Sequence, residues 1–143
     1  MTCIAWDGKT MAADKQATAG GQRRTVTKLF RIDWRIVAVS GDLDKGVEMV
    51  EWLRAGSPAD KFPHFQRTDD FVSVMVLESI DKCLRYEQTP IPFVVEDKQW
   101  AIGSGRDYAI AAMHLGRTAA EAVAVACLFD VSCGMGIDTM EPA

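Results

Sequence analysis

Strand-like segments fill the first third of the chain and helix-like segments the last third, with no repeated strand–helix–strand unit between them. That order constrains the fold most, because regular alternation is what builds a parallel, doubly wound sheet. Thr2–Trp6 is short and β-rich, Asp7-Gly8 is a turn pair of the hairpin kind, and Thr10–Asp14 returns as its partner. Thr27–Asp33 and Arg35–Ser40 form a second predicted pair about Asp33-Trp34. A helix follows: Asp42 or Asp44 caps it, Val47, Val50 and Leu53 share one face, and Gly56 and Pro58 stop it. Ser57–Asp70 is polar, carries two prolines and reads as loop. Phe71–Leu77 is a valine-rich strand, followed by a turn at Ile80-Asp81. Strands are expected over Lys82–Glu87 and Ile91–Glu96, and Lys98–Ile102 is expected to close a hairpin about Asp97. Gly103-Ser104-Gly105 turns into an alanine-rich helix over Asp107–Leu115, ended by Gly116. Thr118-Ala119-Ala120-Glu121 is a capping box that opens a second helix reaching Phe129. Gly134–Gly136 breaks the pattern and Ile137–Met140 is a final strand. The expected class is α+β, in one domain spanning 1–143.

Composition removes several functions. The chain is 48% hydrophobic and 25% charged, the balance of a globular protein. Its 16 basic and 20 acidic residues leave a net charge of −4, so no basic excess exists to neutralise nucleic-acid phosphates. No apolar run approaches the roughly 20 residues of a membrane span. MTCIAWDGKT lacks the basic and then long apolar segments of a signal peptide, so a cytoplasmic protein is expected. Cys3, Cys83, Cys127 and Cys133 form no CxxC pair and read as reduced thiols. His64 and His114 are far apart in sequence, which gives a histidine-based metal site little to build on.

Thr2 is the first candidate for chemistry. Removal of Met1 would place a hydroxyl and a free α-amine on one residue. An α-amine has an ordinary pKa of about 7.7–8.0, so part of it is neutral near pH 7 and can take a proton. The two groups together make a nucleophile and its base.

Four segments in order then carry a resemblance: TCIAWDGKTMAADKQAT, KLFRID with IVAVSGD, AIGSGRDYAIAA, and DVSCGMGID. With a threonine at position 2, they resemble the proteasome β-subunit and HslV family of N-terminal threonine peptidases along nearly the whole chain. The resemblance implies a four-layer αββα sandwich of the Ntn-hydrolase type. Here it is expected in compact form, with a shortened helical layer and a truncated C-terminus. It implies Thr2 as nucleophile, Lys28 as the cation favouring the alkoxide, and Asp14 as the carboxylate that orients Lys28. It implies Ser104 as a proton relay beside the amine and Asp130 as its partner. Cys133 stands where proteasome subunits usually carry serine and HslV-type subunits cysteine. A monovalent cation near Asp130, Cys133 and Gly136 is a further implication; no other cofactor is required. Alignment of IVAVSGD puts Ala38 at the oxyanion-hole glycine, with Thr18 and Ala19 along a substrate cleft.

The implied activity is endopeptidase cleavage of peptides or unfolded proteins by acyl transfer. Implied partners are copies of the same chain, with stacked rings as one form, and an ATPase unfoldase. Neither nucleic acid nor membrane is expected as a partner. Two other readings use the same fold: an N-terminal-nucleophile amidase or acylase acting on a small molecule, and a catalytically silent structural subunit.

Overall fold

Strands that are apolar at nearly every position need cover on both faces, and the structure supplies it. The computed structural model describes residues 1–65 and 71–143, so the end of the loop expected over Ser57–Asp70 lies outside them. The first half contains β1 (Ile4–Trp6), β2 (Met11–Asp14), β3 (Gln16–Ala19), β4 (Gln22–Thr25), β5 (Leu29–Ile32), β6 (Arg35–Gly41) and α1 (Leu43–Arg54). Then come β7 (Val72–Ser79), β8 (Lys82–Tyr86), β9 (Phe93–Val95), β10 (Trp100–Ile102), α2 (Arg106–His114), α3 (Ala119–Phe129) and β11 (Ile137–Met140). The strands form three antiparallel sheets: β10-β1-β2-β11, the pair β3-β4, and β5-β6-β7-β8-β9. The architecture is α+β, as expected.

Side chains alternate across each strand and so sort into separate clusters. Ile4, Trp6, Met11 and Ala13 of the four-stranded sheet pack with Ile36, Ala38, Met75 and Leu77 of the five-stranded sheet. The intervening positions point the other way. Ala5 and Ala12, with Cys3 just before β1, meet Ala109, Ala112, Ala122, Val123 and Ala126 of α2 and α3. Val37, Val39, Val74 and Val76 meet Met49, Val50, Trp52 and Leu53 of α1. Small residues on both sides let α2 and α3 lie close to their sheet. Gly46 does the same for α1, since a Cβ there would fall 2.2 Å from Val39 Cγ1.

Several local expectations change. The loop between β1 and β2 has four residues rather than two: Trp6 pairs with Met11, and Asp7 Oδ1 accepts the N–H groups of Lys9 and Thr10 at 2.9 and 2.7 Å. The hairpin about Asp97 does not exist. β9 pairs with β8, whereas β10 pairs with β1 in the other sheet, so the chain crosses between sheets there. A turn signal marks where the chain bends, not which distant strand it joins. The helix over 43–54 forms, but Val47 is 49% exposed and Met49 and Trp52 are buried instead. Asp42 precedes it without a side-chain cap; its carboxylate accepts from Phe71 N–H at 2.8 Å. The β3–β4 hairpin was not expected. Gly20 and Gly21 turn it with φ of 56° and 76°, the region glycine enters most freely. The Thr118–Glu121 capping box forms as expected, with bonds of 3.2 and 3.1 Å.

Candidate active site

Thr2 lies just before β1 and is 3% exposed. The turn at 103–105 clamps it: Gly105 N–H donates to the Thr2 carbonyl at 3.1 Å. Gly103 has φ of +95°, and a Cβ there would meet that carbonyl oxygen at 2.0 Å. Both conditions select glycine. Between these glycines, Ser104 Oγ accepts the Thr2 N–H at 3.2 Å. The Thr2 hydroxyl donates to the Met1 carbonyl at 2.7 Å, and Lys28 Nζ reaches the same oxygen at 3.4 Å. One acceptor therefore holds both the hydroxyl and the ammonium.

Lys28 stands just before β5, and Asp14 ends β2 in the other large sheet. Their ion pair is 2.7 Å long and buried, with side-chain exposures of 6% and 0%. Such a pair is costly to desolvate unless the remaining lone pairs are satisfied. Asp14 satisfies them with backbone: Oδ1 also accepts from Cys3 N–H at 3.0 Å, and Oδ2 from Gln16 and Gly134 N–H at 3.2 and 3.1 Å.

A second carboxylate sits behind Ser104. Asp130 caps the end of α3 and accepts from Ser132 N–H at 2.8 Å and the Cys133 thiol at 3.4 Å. Burial pushes the Asp130 carboxyl up. Hydrogen bonds from Ser104, Ser132 and Cys133, helped by the charge of the chain's terminal ammonium, outweigh this and hold it below the usual range. The Cys133 thiol is pushed up to about 12, first by burial, then by the Asp14 charge and its bond to Asp130. It is a neutral donor rather than a nucleophile. Ser104 Oγ and Cys133 Sγ are 3.9 Å apart. Thr2, Asp14, Lys28, Ser104, Asp130 and Cys133 thus belong to one connected cluster.

Beside it runs a cleft of about 440 Å³, bordered by Thr2, Lys28, Thr18 and Ala19, with Phe30, Val39, Val47 and Phe71 as apolar walls. Ala38 is elsewhere. It is fully buried between the large sheets, and strand alternation gives the cleft face to Val39 and Gly41. Gly41 went unnoticed in the sequence. It ends β6 with φ of +107°. Val39 N–H bonds to Lys28 O toward β5 and Asp42 N–H to Phe71 O toward β7. By the same parity Gly41 N–H faces the β5 side, just beyond where β5 begins. A glycine at a strand-to-helix junction was the available signal. Gln16 was also missed, because a glutamine in a strand carries no motif.

The cation expectation gains no side-chain support. Asp130 and Cys133 already bond to each other, Gly136 lies beside Lys15, and a neutral thiol is a poor ligand. Among the described residues, no group of three histidine, cysteine, aspartate or glutamate side chains could hold a metal ion. Also among them, no helix is long and apolar enough to cross a membrane.

The fold belongs to a recognisable class, that of HslV. The structure matches eukaryotic HslV from Trypanosoma brucei with a TM-score of 0.69 and 24% identity, over 97% of each chain. It also matches Thiobacillus denitrificans BPH with a TM-score of 0.70 and 18% identity, over 99% of this chain and 98% of that one. The same BPH in complex with epoxomicin matches with a TM-score of 0.70 and 16% identity, over the same shares. These matches leave no long C-terminal remainder of either protein uncovered. No family model and no curated protein matches the sequence.

Proposed function

We propose that the chain is a threonine-type endopeptidase whose helices and large sheets stack as an αββα sandwich of the Ntn-hydrolase type. The observation that carries the reading is the convergence on Thr2: its nitrogen on Ser104, and its hydroxyl with Lys28 on one oxygen. Loss of Met1 would turn that nitrogen into an amine and free that oxygen's place for a substrate or water. Thr2 Oγ1 then attacks a peptide carbonyl while the α-amine takes its proton, with Ser104 beside it. Lys28, oriented by Asp14, stabilises the alkoxide and disfavours a second positive charge on the amine. Gly41 N–H, rather than Ala38 N–H, is our candidate donor to the tetrahedral oxyanion, an interaction typically worth about 3–4 kcal/mol. The α-amine then passes that proton to the leaving nitrogen as the peptide C–N bond breaks, and water hydrolyses the acyl-threonine ester, releasing the acid and restoring the Thr2 hydroxyl.

Two features favour an extended peptide over a small molecule. β3 pairs only with β4 among the described strands, which leaves its other edge for a substrate strand. Apolar walls beside Thr2 suit an uncharged side chain next to the scissile bond. Epoxomicin bound to a structural neighbour of the same fold is consistent with this site chemistry. Assembly with further copies in rings, an ATPase unfoldase partner, a cytoplasmic setting and a cation on backbone oxygens complete the proposal. No step above uses the cation.

The test is mass spectrometry of the mature N-terminus after incubation with epoxomicin, alongside turnover of fluorogenic peptides. The expected result is Met1 absent and an adduct on Thr2. Thr2→Ala should lower turnover on the order of a thousandfold or more with melting unchanged. Retained Met1 on every chain, or full activity in Thr2→Ala, would overturn the reading.

A further inference from the structure

Gln16 is polar, 1% exposed and outside every role assigned above. Its side-chain Nε2 donates in two directions: to Thr18 Oγ1 at 3.0 Å and to the Val131 carbonyl at 3.1 Å. Thr18 is on the strand that borders the cleft. Val131 directly follows Asp130, in the loop that also carries Cys133. The fit around the amide is tight, since a Cβ on Gly134 would lie 2.9 Å from Gln16 Oε1. Two backbone bonds fix the frame: Gln16 N–H to Asp14 Oδ2 at 3.2 Å, and Lys15 N–H to the Gly134 carbonyl at 3.0 Å. A buried side chain that only filled space would be apolar, because burying an amide is unfavourable unless its bonds are made. Here both amide protons are committed, one to the substrate side and one to the relay side.

We propose that Gln16 is a positioning residue that sets the register between the substrate-bearing strand β3 and the loop holding Asp130 and Cys133. The proposal rests on the peptidase reading. Its two bonds act on different quantities. The bond to Thr18 orients the strand that binds peptide, so its loss raises KM. The bond to Val131 holds the loop that keeps Asp130 on Ser104, so its loss lowers kcat.

The experiment is a double-mutant cycle on the mature enzyme, with kcat, KM and thermal melting measured for each variant. Thr18→Val removes only the acceptor and should raise KM several-fold, with the main effect on KM. Gln16→Met keeps the length without the donors; it should raise KM by a similar factor and lower kcat roughly tenfold. The double variant should match Gln16→Met alone in KM, since the shared bond is already gone. Multiplying KM effects, or an unchanged kcat in a normally melting Gln16→Met, overturns the proposal. If Gln16→Met does not melt cooperatively, Gln16→Glu replaces it. That side chain can accept from Thr18 but cannot donate to Val131, so kcat should fall while KM holds; any other pattern overturns the proposal. A wild-type chain with turnover and a Thr2 adduct but an additive cycle refutes only the Gln16 role. A wild-type chain with neither refutes the peptidase reading and this inference with it.

Discussion

Asp14 concentrates more of the site than any other side chain, because four donors from separate stretches of chain meet its two oxygens. Asp14→Asn should leave the buried Lys28 ammonium uncompensated and lower stability by about 3 kcal/mol, measured by denaturant titration. Gly103 and Gly116 offer a controlled comparison. Both have positive φ, but a Cβ on Gly103 would strike the Thr2 carbonyl, whereas Gly116 faces open space. Gly116→Ala should lower stability by about 1 kcal/mol and Gly103→Ala by more, because strain and collision add. At this scale the site was legible through resemblance: the six residues expected to meet do meet in one cluster. Ala38 was expected at the cleft but lies between the large sheets, because a one-dimensional match cannot say which face of a strand a residue takes. Gln16 was invisible because its two side-chain bonds, to Thr18 two residues along its own strand and to Val131 far along the chain, leave no mark in the sequence.

Elements were legible where their signals are local. The Thr118–Glu121 box is a four-residue pattern, and it forms. Thr118→Ala should lower stability by about 1 kcal/mol, seen as a lower melting temperature. Hydrogen bonding to the carboxyl, first from the Thr118 backbone N–H and then from the Thr118 side chain, holds Glu121 below its ordinary value. Its contribution is therefore present above the unfolded pKa and lost as pH falls through the folded one. Pairing between distant strands was not legible. Asp97 signalled a bend correctly, yet the choice between β8 and β1 as partner depends on where Trp100 and Ile102 find core. Val47 failed differently: it follows the helical period, but the cleft occupies the place where sheet would cover it.

For the whole molecule, tight burial predicts the behaviour of the thiols. Burial pushes Cys83 and Cys133 up to about 12 and also raises Cys3 and Cys127. Unfolded thiols ionise near their ordinary value of 9.0 while the native ones stay neutral, so stability should decline as pH rises from 9 toward 12. Melting curves across that interval check the sign. Below it, half-buried Cys127 should be alkylated ahead of Cys3 and Cys133, as peptide mapping would reveal.

The Asp14–Lys28 contact joins the two large sheets, and so has a meaning for biosynthesis. A newly made polypeptide with one sheet formed and the other still loose holds the hydroxyl without its ammonium. On the proposed peptidase reading, cutting power would arrive late, with the docking of both halves, and neighbouring nascent chains would be spared.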